Sequence, residues 1–341
     1  MFVLPLENLR RHNAIVVITA ILFSCLPAYA QQEDASTVLA AILDGQVPAN
    51  PSELLVMQHH VQALSARLVA MTVAVQVGHA HGSGVIISQD GYVLTAAHVA
   101  GQPDQRAAVI LHDGRRLTGK TLGVFRTLDA GLIRIVNPSR LRLTHAVMGD
   151  SSDVAGGQWC LATGHPGGYQ SGRQPVVRLG RILDIKDDST LQTDCTLISG
   201  DSGGPLFDLQ GRVVGVHSRI GGALNVNLHV PISAYRQQWD RLARGEVWGH
   251  SPGTKPFIGV EGKVASDQAQ ITKVHPGTPA DIAGIRPGDV IIRFGGKVVT
   301  DFDSLKTHVA DEQPGNRVTV EVLREGEQRR VLQLKVGDRN D

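Results

Sequence analysis

The stretch Ile198-Ser-Gly-Asp-Ser-Gly-Gly-Pro205 decides how this chain reads. Ser202 stands among glycines, which let a backbone turn tightly and approach a ligand closely. A serine alcohol is a weak nucleophile. It needs a base in hydrogen-bond reach, a group that orients the base, and donors for the oxyanion that forms. The N–H groups of Gly200 and Ser202 are candidate donors. Two other stretches supply the partners. Thr95-Ala-Ala-His98 closes a strand-like run and places His98 at a strand–loop junction, as candidate base. Thr127-Leu-Asp129-Ala-Gly-Leu-Ile133 sets Asp129 just before an apolar strand. A carboxylate there can be partly buried, accept the imidazole's other N–H and stabilise the imidazolium.

Outward from these stretches the chain is built of short β-runs. Val73-Ala-Val-Gln-Val77 alternates as a strand, followed by Gly84-Val-Ile-Ile87, a turn at Asp90-Gly91, and Tyr92-Val-Leu-Thr95. Further runs reach to about residue 230, and Ile232 to Ala243 reads as a closing helix. That pattern predicts an all-β barrel or sandwich over residues 69–245. Residues 246–255 are linker-like. Residues 256–337 form a second, α+β unit, with strands at Ile271–Val274, Ile291–Phe294, Arg317–Arg324 and Arg329–Val336 and a helix around Asp303–Ala310.

The N-terminal part differs. Arg10 and Arg11 precede an apolar run from Ala14 to Leu26, and Ala28-Tyr-Ala30 follows. Residues 1–30 therefore read as a signal peptide, and the chain as periplasmic or secreted, with an uncleaved membrane tether as the alternative. Residues 31–68 form a helical segment. Asn50-Pro-Ser-Glu53 is a helix start, and Leu54, Met57, Val61, Leu64 and Leu68 form one apolar stripe. The stripe either packs on the β-unit of its own chain or pairs between subunits. Of the 341 residues, 38 are glycine and 4% are aromatic, and the net charge is +1. That balance gives no electrostatic case for nucleic acid. Cys160 and Cys195 remain after the leader; they read as buried thiols, and an oxidising compartment would permit one bridge.

Thr95-Ala-Ala-His98 and Gly200-Asp-Ser-Gly-Gly-Pro205, in the order His, Asp, Ser, resemble the chymotrypsin-like serine proteases. Gly82-Ser-Gly-Val-Ile-Ile87, Gly91-Tyr-Val-Leu-Thr-Ala-Ala-His-Val99 and the 31-residue step from His98 to Asp129 resemble the HtrA/Deg proteases specifically. The resemblance implies a mainly β protein with a chymotrypsin-like double β-barrel. It implies a serine endopeptidase with His98, Asp129 and Ser202 as catalytic residues. Gly200, Asp201 and Ser202 would form the oxyanion hole. Thr196 would lie at the base of the primary pocket, and Ser218, Arg219 and Ile220 would pair with substrate backbone. Thr196 implies small or medium aliphatic side chains rather than Lys or Arg. One departure stands out: HtrA proteins usually carry Asn where this chain has Asp201. In chymotrypsin-like enzymes that Asp pairs with a new N-terminus made by cleavage. No Ile-Val-Gly-Gly-like start lies near Val69, so Asp201 is expected to be solvated or paired otherwise, with control by loop ordering.

Phe257-Ile-Gly-Val260, Val274-His-Pro-Gly-Thr-Pro-Ala-Asp-Ile-Ala-Gly284 and Ile285-Arg-Pro-Gly-Asp-Val290 resemble a PDZ domain of the HtrA type. This implies that Phe257, Ile258 and Gly259 receive a peptide C-terminal carboxylate, while Ile258, Val260, Leu305 and Val309 line the groove. The implied partners are unfolded or misfolded polypeptides and peptide C-termini, and the implied assembly is a homo-oligomer, a trimer. No cofactor is needed. His79-Ala-His81 and His59-His60 have metal-like spacing without accompanying ligands, so no metal is expected. The competing reading is a peptide-binding chaperone or scaffold with little or no proteolysis.

Overall fold

The computed structural model describes residues 35–339, apart from 187–188, 252, 264–265 and 326–327. The segment read as a signal peptide lies outside the described residues. Residues 35–43 (α1) and Pro51–Met71 (α2) are helical. The start of α2 is capped as the sequence predicts: Asn50 Oδ1 accepts from Glu53 N–H at 3.0 Å, and the Glu53 carboxylate accepts from Ala49 N–H at 2.7 Å. Met57, Leu64, Leu68 and Met71 are buried. They join a cluster with Leu161, Phe207, Leu209 and Val213, so the stripe packs on the β-unit of its own chain. Leu54, at the head of the stripe, is exposed.

Two closed six-stranded barrels follow. The first contains β1 (Thr72–Val77), β2 (Ala80–Ile86), β3 (Tyr92–Ala96), β4 (Arg106–Ile110), β5 (Arg116–Phe125) and β6 (Ala130–Ile135), in the order β5-β4-β1-β2-β3-β6, closed by β5 on β6. A four-residue helix, α3 (Ala97–Ala100), caps β3 and carries His98. The second barrel contains β7 (Trp159–Gly164), β8 (Val176–Lys186), β9 (Thr190–Thr193), β10 (Pro205–Asp208), β11 (Val213–Ile220) and β12 (Asn227–Pro231), closed in the order β10-β11-β12-β9-β8-β7. Closure pairs the first and last strands of each order with each other, β5 with β6 and β10 with β7. Helices α4 (Ile232–Gln237) and α5 (Trp239–Ala243) finish the unit. Tyr235, fully buried, donates its hydroxyl to Thr95 O at 2.6 Å and ties α4 to the strand leading to His98.

The linker reading needs correction at its start. Val247–Trp248 forms β13, which pairs in parallel with Val124 and Phe125 of β5. Trp248 is buried and stacks on Phe125 with ring centroids 4.9 Å apart. A buried aromatic anchors the segment to the first barrel, where its Gly- and Pro-rich context suggests a free connection. Cys160 and Cys195 are buried free thiols with their Sγ atoms 3.8 Å apart.

The second unit has its own core, with Ile271, Ile291, Phe294, Leu305 and Val320 among its members. Its strands are β14 (Pro256–Phe257), β15 (Val260–Gly262), β16 (Ala269–Val274), β17 (Val290–Phe294), β18 (Lys297–Val298), β19 (Arg317–Arg324), β20 (Gln328–Lys335) and β21 (Gly337–Asp338). Helices α6 (Pro279–Ala283) and α7 (Phe302–Ala310) complete it.

Candidate active site

The first barrel supplies a histidine and a carboxylate. Asp129, one residue before β6, has φ +63°, a left-handed conformation that side chains other than glycine adopt at a cost. The turn sends its carboxylate toward α3. Asp129 O accepts from Ala97 N–H at 2.9 Å, Oδ1 accepts from His98 N–H at 3.1 Å, and His98 Nδ1 lies 3.0 Å from both carboxylate oxygens. Asp129 is 4% exposed, whereas the His98 side chain is 52% exposed. The pKa of His98 is raised above 6.5, first by the hydrogen bond to Asp129; partial desolvation and the Arg219 charge oppose the rise. With Nδ1–H given to Asp129, Nε2 is the free base nitrogen.

The second barrel supplies the serine. Ser202 Oγ donates to Ser218 O across a long 3.5 Å, and no hydrogen bond joins it to His98 among the described residues. Ser218 also donates its own hydroxyl to Asp129 Oδ2 at 2.6 Å. It can do so because β11 carries a bulge between His217 and Arg219, which re-aims the side chain. Ser218 is thus the fourth member of the cluster, in addition to its place on the predicted substrate strand.

The serine loop is held open. Gly200 has φ +93°, and an added Cβ would lie 2.5 Å from Gly168 N and from His165 O, so only glycine fits. The preceding carbonyl, Ser199 O, is turned away to accept from Gly167 N–H at 2.6 Å. Neither Gly200 N–H nor Ser202 N–H has an acceptor among the described residues. The Asp201 N–H, expected at the oxyanion site, is instead bonded to Ile198 O at 3.1 Å, and the Asp201 side chain is fully buried rather than solvated.

Similarity to known proteins follows the same division. A trypsin-like peptidase domain matches residues 82–216, and a PDZ domain matches residues 256–336. The "Probable periplasmic serine endoprotease DegP-like" of Chlamydia muridarum is 32% identical over 272 residues, covering 72% of this chain and 52% of the relative. A serine endoprotease structure from Yersinia pestis is 25% identical, with a TM-score of 0.51 over 86% of this chain and 99% of that one. The HtrA-type protease AlgW, solved with a tripeptide, has 25% identity and a TM-score of 0.51 over 82% of this chain and 97% of that one. The chain belongs to the HtrA/Deg family. It spans about half the length of the curated relatives it matches. Among the described residues no helix is long and apolar enough to cross a membrane.

Three features of this HtrA/Deg chain have no obvious signal in the sequence. Ser83 ties the barrels together: its Oγ donates to Gly200 O at 2.8 Å, and its N–H donates to Ser202 O at 2.8 Å. The glycines beside it, already part of the family stretch, were the available clue. A Cβ on Gly82 would lie 2.7 Å from Ser202 O. Behind the loop, His217 and His229 are buried with Nδ1 atoms 2.9 Å apart. Since Thr163 O must accept from His217 Nε2 at 3.1 Å, His217 Nδ1 accepts from His229 Nδ1–H. Burial pushes His229 down to about 3. Arg178 is the third, meeting Asp201 at 3.1 Å.

The predicted pocket and groove residues divide. Thr196 is exposed between buried Cys195 and Leu197, and Asn227 Oδ1 holds Leu197 N–H at 2.9 Å. Arg219 and Ile220 project outward, while β10 pairs with β11 only as far as Val216. The backbone of residues 218–220 thus keeps one edge open. Phe257, Ile258, Gly259, Val260, Leu305 and Val309 all line one cavity of about 560 Å³. The Ile258 and Gly259 N–H groups have no acceptor among the described residues. His59 and His60, and His79 and His81, belong to no cluster of three metal-capable side chains among the described residues.

Proposed function

We propose that this chain is an exported serine endopeptidase that cleaves unfolded protein segments through Ser202, His98 and Asp129, with its PDZ domain capturing peptide C-termini. The observation that carries the reading is the pairing of an Asp129-bound imidazole with a serine loop whose Gly200 and Ser202 N–H groups have no acceptor among the described residues. After a side-chain rotation, His98 Nε2 takes the Ser202 Oγ proton as Oγ attacks the peptide carbonyl carbon. The carbonyl electron pair moves to oxygen, where the two N–H groups bind it. Each such donor is worth about 10²–10³ in kcat. Collapse breaks the C–N bond, and the amine leaves with the proton from His98. Water, deprotonated by His98, then hydrolyses the acyl-enzyme and returns Ser202.

The open edge at residues 218–220 suits an extended substrate strand, which favours unfolded segments. At the PDZ unit, the free N–H groups of Ile258 and Gly259 suit a terminal carboxylate, with the apolar cavity beside them for the last side chains. The tripeptide bound by AlgW supports peptide capture in this family. Periplasmic names among the relatives support export. A homo-oligomer, as a trimer, remains part of the proposal through family likeness. The test is labelling by a fluorophosphonate probe together with turnover of an unfolded protein, with Ser202→Ala as control. Labelling and turnover lost in Ser202→Ala are expected. A folded wild type that neither labels nor turns over, yet suppresses aggregation, would replace this reading with a chaperone.

A further inference from the structure

Among the described residues Asp201 is the one fully buried carboxylate of the serine loop, and its surroundings are specific. Its exposure is 0%. Oδ2 accepts from Ile198 N–H at 3.0 Å, while the Asp201 N–H returns a bond to Ile198 O at 3.1 Å. The side chain therefore closes the 198–201 turn from both sides. Gly204 N–H donates to Asp201 O at 2.8 Å, which carries the constraint past the nucleophile. Room for the carboxylate comes from Gly164: a Cβ there would lie 2.5 Å from Asp201 Oδ1.

Only one cation reaches this carboxylate among the described residues. Arg178, on β8, places Nη2 3.1 Å from Oδ2 and Nη1 3.3 Å from Oδ1, a two-pronged contact. Its side chain is 20% exposed, so water screens the pair only weakly. Arg173 lies nearby but its guanidinium is bound to Pro166 O and Gly168 O. A carboxylate buried without a partner is strongly disfavoured. Burial raises the Asp201 pKa even beside Arg178, so without the guanidinium the group would take up a proton or leave its site, and the two-sided turn it closes with Ile198 would loosen. Gly200 and Ser202 flank Asp201 directly, so their N–H groups would lose their common direction.

We infer that Arg178 is a positioning residue: an internal cation that holds Asp201 and thereby keeps the Gly200 and Ser202 N–H groups preorganised, without any cleavage of the chain. The inference rests on the proteolytic reading above. Arg178 touches no reacting atom, so its effect falls on kcat, where oxyanion stabilisation acts, more than on KM.

The experiment compares wild type, Arg178→Gln, Arg178→Lys and the double variant Arg178→Gln/Asp201→Asn. Each is followed by fluorophosphonate labelling, by kcat and KM on an unfolded substrate, and by hydrogen exchange of the serine-loop peptide. In Arg178→Gln, labelling and kcat should fall by about 100-fold or more, since two donors are misplaced together. Exchange should rise in the serine loop alone. The double variant buries an amide pair with no charge, so it should return to within about tenfold of wild type. Arg178→Lys, a point charge without the fork, should fall between. The inference is overturned if folded Arg178→Gln labels like wild type, or if the double variant is no better than Arg178→Gln. Should Arg178→Gln fail to fold, Arg178→Lys against the double variant carries the same comparison. An unlabelled wild type whose loop exchange still depends on Arg178 would remove the proteolytic reading and leave the anchor.

Discussion

Removing the Ser218 hydroxyl should move the acid limb of activity to higher pH. Asp129 Oδ2 takes a 2.6 Å bond from Ser218 as well as the contact from His98 Nδ1 at 3.0 Å, in a site where Asp129 is 4% exposed. A hydrogen bond to a charged group contributes about 1.5–3 kcal/mol. Ser218→Ala should therefore lower stability in urea melts by about that amount. The kinetic consequence has the opposite character. A carboxylate freed of one donor interacts more strongly with the imidazolium, so the His98 pKa, already raised by this carboxylate, rises further. If a third to a half of the lost bond is transferred to His98, the limb shifts up by about half a pH unit to one pH unit. Only neutral imidazole can accept the Ser202 proton, so activity is lost below the shifted value. The measurement is the second-order rate of fluorophosphonate labelling against pH, with Ser218→Thr as a control that keeps the hydroxyl. An acid limb that stays in place or moves to lower pH would refute the reasoning. The raised His98 pKa also has a stability sign: its contribution is present below pH 6.5 and is lost as pH rises through the folded value.

Gly82→Ala would set a Cβ 2.7 Å from Ser202 O and from Val99 Cγ2, and a backbone carbonyl cannot yield. Labelling should fall by about 100-fold, the usual consequence of a misplacement near 1 Å, and unchanged labelling would count against the close packing of the barrels. In α2, Leu68→Ala should cost about 2–5 kcal/mol in urea melts, whereas exposed Leu54→Ala should stay within about 0.5 kcal/mol. Equal effects would argue against the packed stripe. In the PDZ unit, Gly259→Val combines φ +83° with a Cβ 2.3 Å from Thr278 Cβ, so binding of a peptide with a free C-terminus should be lost in anisotropy titrations. Labelling without peptide should be unaffected. Acid should destabilise the second barrel. His229 titrates near 6.5 when unfolded but only at about 3 when buried, so stability falls as pH drops from 6.5 toward 3. His229→Gln should flatten that dependence in melts at a series of pH values, and an unchanged slope would exclude this source.

The sequence displays what is local. Each catalytic candidate sits in its own short motif, and alternating apolar runs with glycine turns are enough to predict an all-β barrel or sandwich, while the double barrel is what the family resemblance implies. The N-cap of α2 is likewise contained in Asn50-Pro-Ser-Glu53, so its bonds could be expected in detail. What could not be read depends on distant contacts. Ser83 meets Gly200 across 117 positions, and Ser218 meets Asp129 across 89. Either serine would look the same in sequence as a surface hydroxyl. The partner of Asp201 is on a different strand, 23 positions away, among other arginines with no distinguishing pattern. Trp248 stands in a glycine-rich stretch, and only its stack on Phe125 reveals it as an anchor. The direction of the Asp201 N–H depended on backbone geometry, which residue type does not specify.

The placement of His98 relative to Ser202 depends on how the two barrels are fixed to each other, since each barrel contributes half of the cluster. The fixing has two layers. Polar contacts set direction: Ser83 reaches from the first barrel to Gly200 and Ser202, while Ser218 reaches from the second to Asp129. Apolar contacts supply most of the free energy. One buried cluster contains Leu94 and Leu132 of the first barrel, Phe207 and Val213 of the second, and Leu64 and Leu68 of α2. A domain's net stability is only about 5–15 kcal/mol, and one large-to-small change in such a cluster removes about 2–5 kcal/mol of it. Reaction geometry tolerates still less, because a 1 Å displacement costs about 10² in rate. Under the proposed mechanism helix α2 belongs to the scaffold that sets His98 against Ser202, so losses within its buried stripe should reduce kcat at temperatures where the chain remains folded.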